Sequence, residues 1–356
     1  MHIARINEQK NPLKLSPGDY VCEDANAGEL LANGWASEVS SAHKAQKALE
    51  PWRRQDLNGK KLLFVRPGGF GDLLFITPTV RGMKRLWPEC QIYVACFENY
   101  KSVLENNSDV SGWVKYPILL QEWETFDSII WLEGIIEKSP EALHAHAVDV
   151  IALRCGLELT DKRMKYVVTK EELASAISEF PDKDGAHRIG VQMTASALCR
   201  MYPHMRQVVQ KLWQEGHEVF LFGKPGEIKT NEKEGIVNLT ALNKSFRESC
   251  AVLMTCDCLV APDSALTHIA GALNIPCVAL YGPFPWNLRT AYSPSTRALQ
   301  GIGPCAPCFH HAKGLRFFPE NGPCANTGRC EVLASISVDR VIREVEKKLE
   351  TRRKAA

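Results

Sequence analysis

A single carboxylate, Asp72, closes a glycine-rich turn that follows the first strongly apolar stretch of the chain. Residues 62–65 predict a short strand buried on both faces, and apolar residues then recur at helical spacing as far as residue 86. Strand, turn and helix form the first unit of a Rossmann-like fold, and such a turn lies at the carboxyl end of its strand, where open α/β sheets bind ligands. The other polar and glycine positions of the turn are Arg66, Gly68, Gly69 and Gly71.

The turn matches neither of two common nucleotide-binding motifs. A dinucleotide fingerprint needs G-x-G-x-x-G, and a P-loop needs Gly-Lys-Ser/Thr after its glycines, whereas the sequence here is G-G-x-G-D. Two interpretations of Asp72 stay open on the residues alone. It is either a functional carboxylate at a helix N-terminus facing a cleft, or simply the N-cap of that helix, because Asp is a favoured N-cap.

A second group of polar residues, Asp263, Ser264 and His268, follows a predicted strand at 258–261. A helix that begins after a Rossmann strand presents free backbone N–H groups, which suit a diphosphate. His268 lies four residues after Ser264 and therefore on the same helix face. The structural alternatives are an ordinary core histidine and a second aspartate N-cap.

Two further turns carry residues that suit a phosphate or a ribose. Thr194 and Ser196 follow the strand predicted at 188–193, with Arg200 shortly beyond them. Glu227 follows the strand at 218–222, where a carboxylate can accept both ribose hydroxyls, although an exposed loop acid is the alternative. Together these turns of one sheet edge indicate a sugar nucleotide.

The elements that must position these residues alternate between strand and helix along both halves of the chain. This alternation predicts an α/β fold with mostly parallel sheets and two Rossmann-like domains facing a cleft. A long helix is expected at 142–157, and residues 165–169 and 171–180 then lead to a polar linker at 181–185. We predict four segments: an N-terminal appendage at 1–55, a first domain at 56–180, a second domain at 186–335 and a C-terminal helix at 336–356.

Composition narrows the class of protein. The 356 residues are 45% hydrophobic, enough for two cores, and the net charge of +2 gives no reason to expect nucleic acid as a partner. No apolar run reaches transmembrane length, and the first residues lack the apolar region of a secretory signal. We therefore expect a cytoplasmic protein. The appendage shows no chemistry, and either an interaction role, including homo-oligomer formation, or an inert extension would explain it.

Four of the thirteen cysteines lie in a Gly/Pro-rich segment, 301–330, and the others mostly read as reduced core thiols. Four thiolates in close pairs suit a structural zinc or iron, although the second pair is more widely spaced than usual. Unligated thiols in a reducing compartment are the alternative. The four residues are Cys305, Cys308, Cys324 and Cys330.

The order of these motifs resembles glycosyltransferase family 9, the ADP-heptose heptosyltransferases. The resemblance runs from about residue 60 to residue 347, so it covers both predicted domains and excludes 1–55. It is carried by the segments Arg66-x-Gly-Gly-x-Gly-Asp72, Thr77-Pro78, Pro262-Asp263-Ser264-x-Leu-x-His268-x-Ala and Val278-Ala-Leu-Tyr-Gly-Pro283.

The resemblance implies a GT-B fold and an inverting transferase without an active-site metal. It makes the first domain the acceptor side, with Asp72 as the general base for the acceptor hydroxyl. It makes the second domain the donor side, where Thr194, Ser196 and Arg200 hold the diphosphate and Glu227 the ribose. The family often has Lys at the position of Arg200. The donor loop comprises Asp263, Ser264, Ala265, Leu266 and His268.

The cysteine segment resembles that of protein O-heptosyltransferases, which carry a cysteine metal motif. We therefore expect ADP-heptose as donor and either a lipopolysaccharide-core sugar or a protein hydroxyl as acceptor. Two alternatives are a transferase for another nucleotide sugar and a catalytically silent protein that binds a nucleotide or a partner. Loss of Asp72 or His268 would have favoured the silent protein, and both residues are present.

Overall fold

The structure is a computed structural model that describes residues 2–6, 18–22, 36–41, 56–183, 185–229, 233–309 and 329–355. It divides into two compact units. The first comprises residues 1–139 and 148–162, and the second comprises residues 140–147 and 163–356. The stretch at 25–36, which the sequence suggests is amphipathic, and the polar stretch at 44–55 lie almost wholly outside the described residues.

The first unit is built on a four-stranded parallel sheet in the order β6-β5-β4-β8. Its strands are β4 (Lys61–Val65), β5 (Gln91–Cys96), β6 (Gly112–Lys115) and β8 (Ser128–Trp131). Its helices are α1 (Phe70–Leu86), α2 (Leu120–Trp123), α3 (Ile135–Lys138) and α4 (Ala147–Arg154), with a 3₁₀ turn at Glu98–Val103.

The predicted strand–turn–helix at the start of this unit is present. The side chains of Leu62, Leu63, Phe64 and Val65 are buried in β4 because the sheet is covered on both faces. The chain then turns through Gly69, whose φ of 83° is in the left-handed region that favours glycine. Gly69 is the N-cap of α1, and the apolar residues of α1 are buried or half-buried as far as Met83, as their helical spacing predicts, whereas Leu86 at the end of the helix is exposed.

The N-terminal segment forms part of the first unit. Strands β1 (His2–Ile6), β2 (Gly18–Cys22) and β3 (Ala36–Ser41) join β7 (Ile118–Leu119) in an antiparallel sheet of order β3-β1-β2-β7. Tyr20 of β2 is 6% exposed and packs in one core cluster with Leu63 and Trp123. The inert-extension interpretation is therefore wrong for these strands, since one of them contributes to the hydrophobic core.

The second unit is built on a six-stranded parallel sheet in the order β11-β10-β9-β12-β13-β14. Its strands are β9 (Arg188–Gln192), β10 (Glu218–Phe222), β11 (Ile236–Asn238), β12 (Cys258–Pro262), β13 (Cys277–Tyr281) and β14 (Thr296–Gln300). Its helices are α5 (Lys170–Glu179), α6 (Met205–Gln214), α7 (Phe246–Met254), α8 (Ala265–Ala272), α9 (Asn287–Thr290), α10 (Glu331–Ala334) and α11 (Val338–Ala355), with 3₁₀ turns at Pro140–Leu143 and Leu198–Arg200.

Two helical segments differ from the sequence prediction. The continuous helix expected at 142–157 is a 3₁₀ turn followed by the shorter α4, and the chain passes between the two units at this point. Helix α5, which we expected in the first domain, belongs to the second unit. Its N-terminal Glu172 forms a capping box with Thr169 and accepts hydrogen bonds from Arg247 of α7, the shortest at 2.5 Å. These contacts attach α5 to the second unit.

Candidate functional site

Asp72 lies in the first turn of α1, as its third residue. The interpretation that Asp72 is the N-cap is wrong, because that position belongs to Gly69 and no side chain makes the cap hydrogen bond. Gly68 and Gly69 precede the helix and Gly71 lies within its first turn. The Asp72 side chain is 22% exposed, and its Oδ2 atom occupies the space that a β-carbon at position 69 would need. A side chain at position 69 would collide with this carboxylate.

Arg66 is buried beside Asp72 and is surrounded by acidic groups. Its Nη2 lies 3.0 Å from Asp72 Oδ1, and it also contacts Glu137 at 2.9 Å and Glu133 at 3.5 Å. Burial alone would lower the pKa of Arg66, but the negative charges of these three residues raise its pKa above the usual value. Arg66 is thus a permanent cation in contact with the candidate base.

The two glutamates were missed by the sequence analysis. Glu133 and Glu137 follow β8, which pairs with β4, so both turns meet at the carboxyl edge of the first sheet. The same rule that singled out the turn after β4 applies to the turn after β8 and would have found them.

In the second unit, the turns after β9 and β10 contact each other through the predicted residues. The Thr194 hydroxyl donates a hydrogen bond to Glu227 Oε2 at 2.7 Å, and the backbone N–H of Lys224 donates to the same oxygen at 2.8 Å. Glu227 is exposed, as a ribose ligand must be. Strands β9 and β10 are parallel neighbours, so the pair forms because both strands end at the same edge.

Arg200, Asp263 and His268 form a charged cluster at the carboxyl edge of the same sheet. Arg200 donates a hydrogen bond to the Ser196 hydroxyl, and its Nη1 lies 3.7 Å from Asp263 Oδ2. His268 Nε2 lies 3.7 Å from Asp263 Oδ1. Burial would raise the pKa of Asp263, but its interaction with His268 and the charges of Arg200 and Arg289 hold its pKa well below the usual range.

Two polar atoms at this edge are buried and lack a hydrogen-bond partner among the described residues: Arg200 Nε and Ser264 Oγ. Ser264 is the N-cap of α8, and its side chain makes no cap hydrogen bond. The N-cap interpretation of Asp263 is therefore wrong. Ala265 and Leu266 form the first turn of α8, where backbone N–H groups have no helical acceptor. These donors suit an anion.

Arg289 is a further basic residue that the sequence analysis missed. It lies on α9, just after β13, is 5% exposed and stacks over Phe284 at 4.4 Å from the ring centroid. Its charge acts on Asp263. Asp263 therefore has two arginines as positively charged neighbours, and the cluster retains positive charge for an anionic ligand.

The cysteine segment is described in part. Cys330 is buried and Cys305 packs against the same core, whereas Cys308 is exposed. Cys324 lies outside the described residues, as do His310 and His311. Within the described part of the chain, no group of three His, Cys, Asp or Glu side chains could hold a metal ion. The described cysteines by themselves thus do not form a metal site.

Among the described residues, no helix combines the length and the apolar character that crossing a bilayer requires.

Comparison with known families identifies one that matches half of the chain. The sequence model described as "Glycosyltransferase family 9 (heptosyltransferase)" matches residues 136–316. The match includes the Arg200, Glu227 and Asp263 turns and the first pair of cysteines.

Named relatives match shorter stretches. Lipopolysaccharide heptosyltransferase 2 of Escherichia coli is 36% identical over 112 residues, which are 28% of this chain and 31% of the relative. Lipopolysaccharide heptosyltransferase 1 of Pseudomonas aeruginosa is 26% identical over 186 residues, 51% of this chain and 48% of the relative. The chain thus spans from 31% to 48% of the length of these two relatives.

Solved structures match over most of the chain. ADP-heptose lipopolysaccharide heptosyltransferase II of E. coli superposes with a TM-score of 0.63 at 18% identity, covering 82% of this chain and 99% of that one. TibC, an iron-containing dodecameric glycosyltransferase of enterotoxigenic E. coli, superposes with a TM-score of 0.61 at 14% identity. The match covers 82% of this chain and 77% of TibC. At this identity the likeness shows the fold, and with the two parallel sheets it confirms the predicted GT-B class.

Proposed function

The chain belongs to glycosyltransferase family 9, and from this premise we propose that it is an inverting glycosyltransferase with ADP-heptose as donor. The observation that carries the proposal is the cluster of Arg200, Asp263, Ser264 and His268 at the carboxyl edge of the second sheet. It combines positive charge, helix N–H donors and two buried donors that have no hydrogen-bond partner among the described residues. These are the requirements of a diphosphate site.

Each residue of the proposed donor site has a separate task. Arg200 and the N-terminus of α8 bind the diphosphate, with Thr194 and Ser196 beside it. Glu227 accepts the ribose hydroxyls from the next turn. Asp263, kept ionised by its neighbours, orients Arg200 and His268. Ala265 and Leu266 contribute backbone N–H groups.

The reaction we propose needs one base and one stabilised leaving group. Asp72 takes the proton of the acceptor hydroxyl while the acceptor oxygen forms its bond to the anomeric carbon of the sugar. The bond between that carbon and the diphosphate breaks, and ADP leaves with the electron pair. The positive charge of the donor cluster stabilises the negative charge that develops on the diphosphate. No step requires a metal ion.

The acceptor is either a lipopolysaccharide-core sugar or a protein Ser/Thr hydroxyl. The named relatives are lipopolysaccharide heptosyltransferases, which supports the first. The four cysteines, whose segment resembles that of protein O-heptosyltransferases, support the second. One structure of the iron-containing TibC holds ADP-D-β-D-heptose, which supports the proposed donor. TibC is dodecameric, which also makes a homo-oligomer of this chain worth testing.

We expect full-length protein to bind ADP and ADP-heptose in calorimetry and to bind UDP-glucose at least tenfold more weakly. ADP release should follow when a deacylated lipopolysaccharide core or a Ser/Thr-containing peptide is added. Preferential binding of another nucleotide sugar would identify that sugar, and not ADP-heptose, as the donor. Donor binding without ADP release on any acceptor would favour the silent, nucleotide-binding alternative.

We further propose that Cys305, Cys308, Cys324 and Cys330 together hold one structural zinc or iron ion. Elemental analysis of anaerobically purified protein should find about one such ion per chain, and its removal should lower the melting temperature before it affects donor binding. A Cys308→Ser variant should lose the ion, whereas Cys155→Ser, a change of a core thiol in the first unit, should retain it. Metal-free wild-type protein would refute this proposal and weaken the case for a protein acceptor.

A further inference from the structure

The guanidinium of Arg66 is held mainly by a turn other than its own. Glu137 of α3 contacts it with both carboxylate oxygens, at 2.9 Å from Nη2 and 3.2 Å from Nη1. The Leu132 carbonyl accepts a hydrogen bond from Nη1 at 3.1 Å, and Glu133 lies farther away, at 3.5 Å. Asp72 Oδ1 lies 3.0 Å from Nη2 of the same guanidinium.

This arrangement defines the plane of the guanidinium. A carboxylate that contacts two nitrogens of an arginine aligns the two planar groups, whereas a single contact leaves rotation possible. The turn after β8 is shaped for this contact. Gly134, with a φ of 73°, is the N-cap of α3. Glu133 and Glu137 lie on either side of it and approach Arg66 from the same short segment. Burial of Arg66 makes these contacts necessary, since an uncompensated buried charge is costly.

We infer that Glu137 is a positioning residue that orients the base Asp72 through Arg66. The inference rests on the proposed function, in which Asp72 is the base. With Glu137 in place, the guanidinium is fixed in one plane and meets Asp72 Oδ1 through Nη2. Without Glu137, the guanidinium can rotate out of this plane, and Asp72 loses the fixed contact that orients it toward the acceptor hydroxyl.

The kinetic test is Glu137→Gln. We expect kcat for ADP release, with a deacylated lipopolysaccharide core as the probe acceptor, to fall roughly 10- to 100-fold, because misplacement of a reacting group costs about this much. The Kd for ADP-heptose and the KM for the acceptor should stay within about twofold. Glu137→Asp keeps the charge and should retain a kcat above that of Glu137→Gln.

A matched control is available in the second unit. Glu218 accepts a hydrogen bond from the buried Arg188 at 3.0 Å, so Glu218→Gln weakens a similar buried ion pair away from the proposed machinery. It should lower the melting temperature at least as much as Glu137→Gln while leaving kcat unchanged. If the two variants lose kcat in proportion to their melting temperatures, Glu137 is only structural and the inference is overturned.

A second measurement is independent of activity. In protein labelled with ¹⁵N-arginine, the guanidinium signals of Arg66, assigned by their absence in Arg66→Lys, should show restricted rotation in wild type, Glu137→Asp and Asp72→Asn. In Glu137→Gln the restricted rotation of the Arg66 guanidinium should be lost. Restricted rotation that survives Glu137→Gln, or disappears in Asp72→Asn, would overturn the inference. An Asp72→Asn variant that remains active would instead refute the role of Asp72 in the proposed function.

Discussion

Replacing Asp72 by asparagine should lower kcat by roughly 10²–10⁴-fold, the range that general-base catalysis supplies. Asparagine has the size of aspartate, but its neutral amide cannot take up the proton of the acceptor hydroxyl. The donor Kd should not change, because the proposed donor residues lie in the second unit. A loss confined to kcat indicates an interaction that is made mainly in the transition state. The measurement is ADP release with a working acceptor, with donor calorimetry and melting temperature on the same samples.

Stability of this variant should fall modestly. It removes one of three carboxylates around Arg66 and leaves Glu133 and Glu137 in contact with it. A folded, donor-binding protein with activity within a few-fold of wild type would exclude Asp72 as the base.

A pair of glycine variants tests the position of the same carboxylate without changing its chemistry. Gly69→Ala places a methyl group against Asp72, whereas Gly59→Ala adds one in open space. Both glycines have positive φ, 83° and 73°, so each substitution should cost about 1–2 kcal/mol of backbone strain. Only Gly69→Ala should lose activity beyond this shared effect. An equal loss of activity in both variants would mean that the methyl group at position 69 does not displace the Asp72 carboxylate.

The second large effect is expected at Arg200. Arg200→Met should weaken ADP-heptose binding by about 10²–10³-fold, since it removes the charged partner of the diphosphate and leaves the buried Asp263 undercompensated. Arg200→Lys keeps the charge but loses the guanidinium geometry, so its affinity should be intermediate. Calorimetry with ADP-heptose measures both.

The matched control for these variants is Arg188→Lys. Arg188 is a buried arginine at the first residue of β9, and Arg200 follows the other end of that strand. The control should lower the melting temperature and leave donor affinity unchanged. Donor affinity that is insensitive to Arg200→Met would remove this residue from the donor site.

Arg200→Met should also change the acid stability of the second unit. The pKa of Asp263 is depressed in the folded protein, so its ionised form stabilises the fold above its unfolded pKa of about 3.9, and this stabilisation is lost as the pH falls. In Arg200→Met the pKa of Asp263 is depressed less, so the ionised Asp263 contributes less to the stability of the fold. The difference in melting temperature between wild type and variant should therefore be constant above about pH 5 and shrink below about pH 4.

The central elements were predictable because their residues obey local rules. A run of four buried apolar residues followed by Pro-Gly-Gly specifies β4 and its turn, and the same logic holds for β12 and α8. Strand β14 was not predicted. Its sequence, TRALQ, has only two apolar residues and no polar–apolar alternation, and it lies at a half-exposed edge of the sheet, so its strand signal is weak.

The remaining differences depend on tertiary structure. Nothing in residues 144–146 breaks a helix locally, yet the predicted helix is interrupted where the chain changes unit. The partners of Arg66 are likewise remote in sequence: Asp72 was recognisable from its motif, but Glu133 and Glu137 meet Arg66 only because β4 and β8 pair. The sheet-edge rule locates such residues in each turn, whereas the ion pairs between the turns after β4 and β8 depend on which strands are neighbours.

The small antiparallel sheet has a consequence for biosynthesis. Residues 2–41 supply three of its four strands, but Tyr20 and Val21 pair with Leu119 and Ile118, which the ribosome adds much later. At about 5–20 residues per second, strand β2 waits several seconds with its outer edge unpaired. An unpaired edge can template pairing with another chain, so nascent copies should be prone to aggregate during this interval. Chaperone demand should therefore fall once residue 119 has left the exit tunnel.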